Sequence, residues 1–561
     1  RTDYRLTATY DETVDYLQRL DEASEWVKLT SYGISPQGRT MHLLIVSKDG
    51  AFTPEAAKET GKAIILIQNG IHSGEIEGKD ACLALVRDMV ITKEKEHLLD
   101  SVIVLIIPIF NLDGHENRVR YTRSNQYGPE NAGFRTTAQL LNLNRDYLKA
   151  DAPEMQAWLR NWVRWMPDFL VDDHVTDGSD WQYTISYSTS WDPNYTPAIQ
   201  RWTKEIYDPF ITKHVEDAGY KIFPYAYGRG GDYSQGVGSW VPSPRFSHGY
   251  TALWNRPGLL VEMHSLKDYR SRVLANYEIL AATIEILNRE GASLKQAIAD
   301  ADAETEAGLI DWYPLDFRSD GHSVMVDLAG YEFDTVLSAA SGGTYLQYHR
   351  DRPKTYHVPY YSTHVASDSI LPPRAYLIPR EWQEQIARLR LHGVRIDTLI
   401  QPLTTAVERY HFDSVTWADE PYEGRMQPSF KTTTQETTMT FPAGTGVIDM
   451  RQRAAKVAIQ ALEPDARDSF VRWGMWNTIF ERKEYIEAYT IEPLAEEMLA
   501  NDPALRTEFL TKLRTDDEFA KSPRARRMFF YKRSPYFETT YRWYPVVRLM
   551  GNLPPVSTWE D

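Results

Sequence analysis

The stretch Ala63-Ile64-Ile65-Leu66-Ile67-Gln68-Asn69-Gly70-Ile71-His72-Ser73-Gly74-Glu75 decides the fold class of this chain. Its first six residues are almost wholly apolar, which is the pattern of a strand buried on both faces of a parallel sheet. Small and polar residues then take over, with His72 and Glu75 three apart on a turn. Similar apolar runs occupy residues 41–47, after a Gly38-Arg39 turn, and residues 102–110. Shorter ones occupy residues 168–171 and 259–261. Residues 79–90 carry an amphipathic helical period, and residues 273–292 read as one long helix. Apolar strands separated by helices predict an α/β fold, a mostly parallel mixed sheet sandwiched by helices.

Ligands in such sheets gather beyond the carboxyl ends of the strands. His72 lies just past one run, His174 and Glu262 directly after two others. Two imidazoles and a carboxylate suit a catalytic zinc with one coordination position left open for water. His72, Glu75 and His174 are therefore candidate metal ligands for one Zn²⁺. Glu262 is a further carboxylate able to take the water's proton. Taken alone, a His-x-x-Glu is weak evidence in a chain with 14 histidines and 78 acidic residues. Its force comes from three such pieces, each following a buried strand.

These residues, with Asn111-Leu-Asp-Gly114, Leu143-Asn144-Arg145, Asp173-His174 and Leu260-Val261-Glu262, resemble the zinc carboxypeptidase family of the carboxypeptidase A kind. The likeness covers roughly residues 1–300. It implies a zinc-dependent peptide hydrolase with His72, Glu75 and His174 on the metal and Glu262 as general base and acid. It also implies Arg135 at the oxyanion, and Asn144 and Arg145 on the substrate's terminal carboxylate. Arg118, Arg120 and Arg123 rival Arg135, and Arg145 could instead pair with Asp146 or Asp151. Tyr250 and Tyr233 compete for a mobile tyrosine that assists substrate binding; Tyr250 is the choice. One departure is Asn142, where the family usually has an Asp as acceptor for the first zinc-binding His. An amide oxygen still orients the ring but carries no charge.

The remaining sequence bounds the answer. A chain of 561 residues suggests two to four structural units. The division expected is a catalytic domain over 1–305, a β-rich region over 306–450 and a mainly helical region over 451–561. A net charge of −16 argues against a nucleic-acid partner, and no run is long enough to span a membrane. Cys82, the only cysteine, falls at helical spacing with Leu85, Val86 and Met89 and reads as a core thiol. The Gly-rich residues 228–238 lack a Gly-Lys-Ser/Thr ending and read as a loop. His264, His322, His349, His357 and His364 show no second metal spacing. The expected substrate is a peptide or an N-acyl amino acid. The rivals to a carboxypeptidase are a deacylase of the aspartoacylase kind and a non-catalytic binding protein. The missing start Met and the habits of look-alikes point to a periplasmic or secreted setting; oligomeric state is not read.

Overall fold

The computed structural model describes residues 2–189 and 195–558. Its centre is an eight-stranded mixed sheet. In chain order the strands are β1 (Val27–Ile34), β2 (Thr40–Val46), β3 (Ala63–Asn69), β4 (Val102–Ile107), β5 (Phe169–Thr176), β6 (Ile185–Thr189) and β7 (Ile222–Pro224). Next come β8 (Tyr227–Arg229) and β9 (Asp232–Gly238), which join another sheet, and then β10 (Gly258–His264). The spatial order is β1-β2-β4-β3-β5-β10-β6-β7. The four middle strands β4, β3, β5 and β10 run parallel, so their carboxyl ends share one edge.

Burial follows the period of two that a strand imposes. Ile64, Leu66, Leu105 and Leu170 face one core. Ile65, Ile67, Val104 and Val171 face the other. The second core is closed by the helices Glu77–Val90, Asp208–Asp217 and Tyr269–Glu306, the last longer than the sequence period suggests. Cys82 is buried there, as expected.

The first core is closed differently. The helix Pro153–Trp165 supplies Trp158 and Trp162. Against them, in the same core, lie Tyr376, Ile448, Val457, Trp473 and Trp476 from the C-terminal half. One face of the eight-stranded sheet is thus covered by residues beyond 306.

Past the long helix come β11 (Tyr313–Ser319), β12 (Val324–Leu337), β13 (Thr344–Tyr361) and β14 (His364–Ile370). They are followed by β15 (Ala375–Ile378), β16 (Asp397–Leu399), β17 (Leu403–Trp417), β18 (Pro428–Phe441), β19 (Gly446–Asp449), β20 (Trp543–Leu549) and β21 (Val556–Thr558). A seven-stranded sheet has the order β18-β17-β20-β15-β19-β16-β21. It draws strands from both sides of residue 450, with β20 inserted between β17 and β15. The helices expected after residue 451 are present, but β20 and β21 belong to the sheet of the preceding region. Likewise β13 pairs with β9, across residue 306, and carries β12 into the same sheet. No helix of the described residues is long and apolar enough to cross a membrane.

Candidate active site

Gly70 begins the site. Its backbone is left-handed (φ 67°), turning the chain sharply off β3. Glu75 N then donates to His72 O (2.8 Å), which folds the two side chains back together. Asn111 locks this turn from the end of β4. Its side chain donates to the carbonyls of Ile71 (3.4 Å) and Arg135 (3.3 Å), and its own carbonyl accepts from Ser73 Oγ (2.7 Å). The Asn111-to-Gly114 turn therefore ties the His72 turn to the loop bearing Arg135.

His174 and Glu262 lie within the last turns of their strands rather than beyond them. They are direct partners in the parallel β5–β10 register, which puts both side chains on one face. His72 Nδ1 and His174 Nδ1 lie 3.1 and 3.0 Å from the same Glu75 Oε2. All three donor atoms fall within 4.8 Å of one another, the only such group among the described residues.

The far nitrogen of each ring is held. His72 Nε2 donates to Asn142 Oδ1 (3.0 Å) and His174 Nε2 to Asp172 Oδ2 (3.0 Å). Such outer contacts fix tautomer and ring orientation, leaving both Nδ1 atoms for a cation. The Asp that serves His174 is Asp172, not the adjacent Asp173. Strand alternation sends Asp173 to the opposite face, where it accepts from Asn276 (3.0 Å). An i, i+2 pair in a strand was the signal for Asp172 in the sequence.

The electrostatics suit a cation. Burial lowers His72 to about 4, despite Glu75. Burial also opposes charge on His174, yet Asp172 and Glu75 hold it well above the ordinary imidazole range. Against its own burial, Glu75 is kept well below the carboxylate range by His72 and Arg123. Burial pushes Glu262 up to about 8, with His174 pulling the other way. A divalent cation beside Glu262 would act in the same sense as His174. Two neutral-capable imidazoles and one carboxylate, each braced from behind, fit zinc.

The cavity over these groups has a volume of about 660 Å³. His72, Glu75, Arg135, Asn144, Arg145, His174 and Glu262 all line it. Of the rival arginines, Arg123 also lines it, with Nη2 2.6 Å from Glu75 Oε1; Arg135 Nη1 stands 3.5 Å from the same atom. Arg118 instead bonds the carbonyls of Thr7 and Asn131, and Arg120 lies over Tyr121. Asp146 and Asp151 are occupied by Lys149, Arg388 and Arg425, and Arg145 pairs with neither.

Tyr250 requires correction. It is fully buried, its hydroxyl 2.9 Å from His392 Nδ1, and it packs on Tyr147 and Trp158 beneath the sheet. Its helix, Ser247–Ala252, turns that side chain into the core and away from the cavity. Tyr233 is buried too, among Tyr348, Tyr356 and Phe333. The tyrosines that line the cavity are Tyr225 and Tyr227, with Trp240, Phe246 and His248. Burial and the nearby Glu262 raise Tyr225 to about 12. The sequence hint was position alone, just ahead of the Gly-rich residues 228–238, which form the β8–β9 hairpin at the cavity mouth. The five histidines that showed no metal spacing in the sequence are held in ordinary contacts: His264 and His364 meet carbonyls, and His322, His349 and His357 meet aspartates.

The family model for zinc carboxypeptidases matches residues 13–227. That segment holds every proposed ligand, both arginine candidates and Asn144. The protein is a zinc metallopeptidase. It is 22% identical over 492 residues to a protein named carboxypeptidase 2 from Trichophyton rubrum, covering 83% of this chain and 84% of that one. The namesake from Trichophyton equinum is 25% identical over 488 residues, with the same coverage. Alignments of that length necessarily run past residue 306. Among solved structures, a metallo-carboxypeptidase from Pseudomonas aeruginosa is 16% identical with a TM-score of 0.38, over 52% of this chain and 71% of that one. Carboxypeptidase A from Helicoverpa armigera is 15% identical with a TM-score of 0.37, over 53% and 75%.

Proposed function

We propose that this metallopeptidase removes C-terminal residues from peptides, with one zinc ion held by His72, Glu75 and His174. When bound, the ion polarises a carbonyl and lowers the pKa of water. Glu262, the register partner of His174, accepts the proton of the attacking water and passes it to the leaving amine. Arg135 donates to the carbonyl oxygen as negative charge grows there, with Arg123 close behind Glu75. Arg145, in the same cavity, grips the terminal carboxylate through two donors, and Asn144 adds a contact. The observation that carries the reading is one cavity lined by the metal donors, Glu262 and Arg145, an arginine that pairs with no carboxylate among the described residues. Tyr225 lines the same cavity as Glu262 and takes the assisting place first expected of Tyr250.

The test uses N-blocked dipeptides with a free carboxylate, the same dipeptides amidated, and N-acyl amino acids. The expected result is release of the C-terminal amino acid from the first set only, lost with 1,10-phenanthroline and restored by zinc. Turnover confined to N-acyl amino acids would make the protein a deacylase. No turnover of any set at full zinc occupancy would make it a binding protein.

A further inference from the structure

The C-terminal half touches residues of the site from behind, through the tip of the β17–β18 hairpin. This tip closes on Tyr422-Glu423-Gly424-Arg425, with Tyr422 N donating to Arg425 O (2.9 Å) and Arg425 N to Tyr422 O (3.0 Å). Both central residues are left-handed, Glu423 at φ 48° and Gly424 at φ 76°. Two-residue turns of this kind favour Asn-Gly, and a glutamate in the first position is disfavoured. The strained residue has a use. The Glu423 carboxylate accepts from the backbone N of Asn142 (3.0 Å), the residue that braces His72.

Its neighbour Tyr422 accepts from Arg145 Nε (3.1 Å). Arg145 also donates from Nη1 to Asn144 O (2.7 Å) and lies 4.7 Å above the Phe246 ring. Three sides of the guanidinium are thus committed, and its remaining donors are left for the cavity. The tip is itself pinned. Tyr422 stacks on Trp473 at 6.1 Å and 10°, and Arg425 binds Asp151 through two nitrogens (2.5 and 3.0 Å). Arg245, clamped by Asp468, lies over Trp473.

We propose that this hairpin tip is a working part of the carboxylate subsite, with Tyr422 and Glu423 as positioning residues for Arg145 and the 142–145 turn. The proposal rests on the reading of Arg145 as the carboxylate grip. A free arginine side chain must give up rotamer freedom to bind a ligand, and contacts that fix it beforehand remove that cost. The grip holds substrate before and during reaction alike, so its loss raises KM more than it lowers kcat.

The experiment compares full-length Tyr422→Phe, Glu423→Asn and Arg145→Ala on a blocked dipeptide with a free carboxylate. Asn suits the left-handed turn but is one methylene too short to reach Asn142 N, so any loss does not come from a weakened turn. The expected result is a KM raised about five- to tenfold in each hairpin variant. Turnover number, zinc content and melting temperature stay near those of the parent. In the Arg145→Ala background the Tyr422→Phe effect should vanish. Unchanged KM in both hairpin variants, with KM raised by Arg145→Ala, overturns the inference and leaves the carboxylate reading intact. Unchanged KM in Arg145→Ala overturns both. A parallel fall in turnover, zinc and melting temperature marks a merely structural contact and also overturns it.

Discussion

At the scale of single residues, the site is two imidazoles and a carboxylate whose roles depend on what stands behind them. His174 is braced by a carboxylate and His72 by an amide, so the two rings differ in basicity although both turn Nδ1 toward Glu75. Asp172→Asn should lower zinc affinity by about 10–100-fold, read by competition with a chelating dye. His174→Ala should lose the metal altogether. Glu262→Gln should keep full zinc occupancy by elemental analysis while turnover falls by about two to four orders of magnitude. Near-parental turnover in that variant would remove Glu262 from the chemistry.

At the scale of elements, two helix starts show burial overriding local preference. Gly78 opens the helix Glu77–Val90 so close to the sheet that an added Cβ would lie 2.2 Å from Asn69 Oδ1 and 2.4 Å from Asp173 Oδ2. Gly78→Ala improves helix propensity, yet it should cost about 1–3 kcal/mol in denaturant unfolding through overpacking. Glu154 stands in the first turn of the helix Pro153–Trp165, where the helix end favours an anion. Burial wins there and lifts it from its ordinary 4.5 to about 7, with no other described residue hydrogen-bonded to either carboxylate oxygen. The folded protein therefore binds more protons than the unfolded chain between those values, and stability falls as pH rises through that window. Glu154→Gln should match the parent below pH 4.5 and exceed it by about 2–3 kcal/mol above pH 7. A gain of equal size at all pH values would show that the carboxyl does not titrate there.

At the scale of the whole molecule, the catalytic sheet does not close its own core. Trp158 and Trp162 share a core with Trp473 and Trp476, and large aromatics of this kind contribute about 1.5–3 kcal/mol each when fully buried. A chain cut after residue 306 loses that cover. It should be insoluble or should bind the dye ANS strongly, where the full protein does not. A well-folded, zinc-binding fragment would make the C-terminal half a separate unit. The seven-stranded sheet that crosses residue 450 points the same way, because neither part can complete it alone.

How much of this was legible beforehand depends on the range of the interaction. The β3 run, the His72 turn, the parallel sheet and the convergence of His72, Glu75 and His174 could be read from the sequence, because strand period and short turns act within a few residues of the chain. Asp172 was within reach by the same logic. Tyr250 was misplaced because its direction is set by a short helix packed on Tyr147 and by His392, some 142 residues away in sequence. The second boundary, at residue 450, fails to separate two sheets because β20 pairs with strands more than a hundred residues earlier. Sequence alone determined which chemistry the chain carries. Only the tertiary structure decided which side chains face the cavity and that the C-terminal half covers one face of the sheet and holds Arg145 and Asn142, since those outcomes depend on burial between segments that share no local pattern.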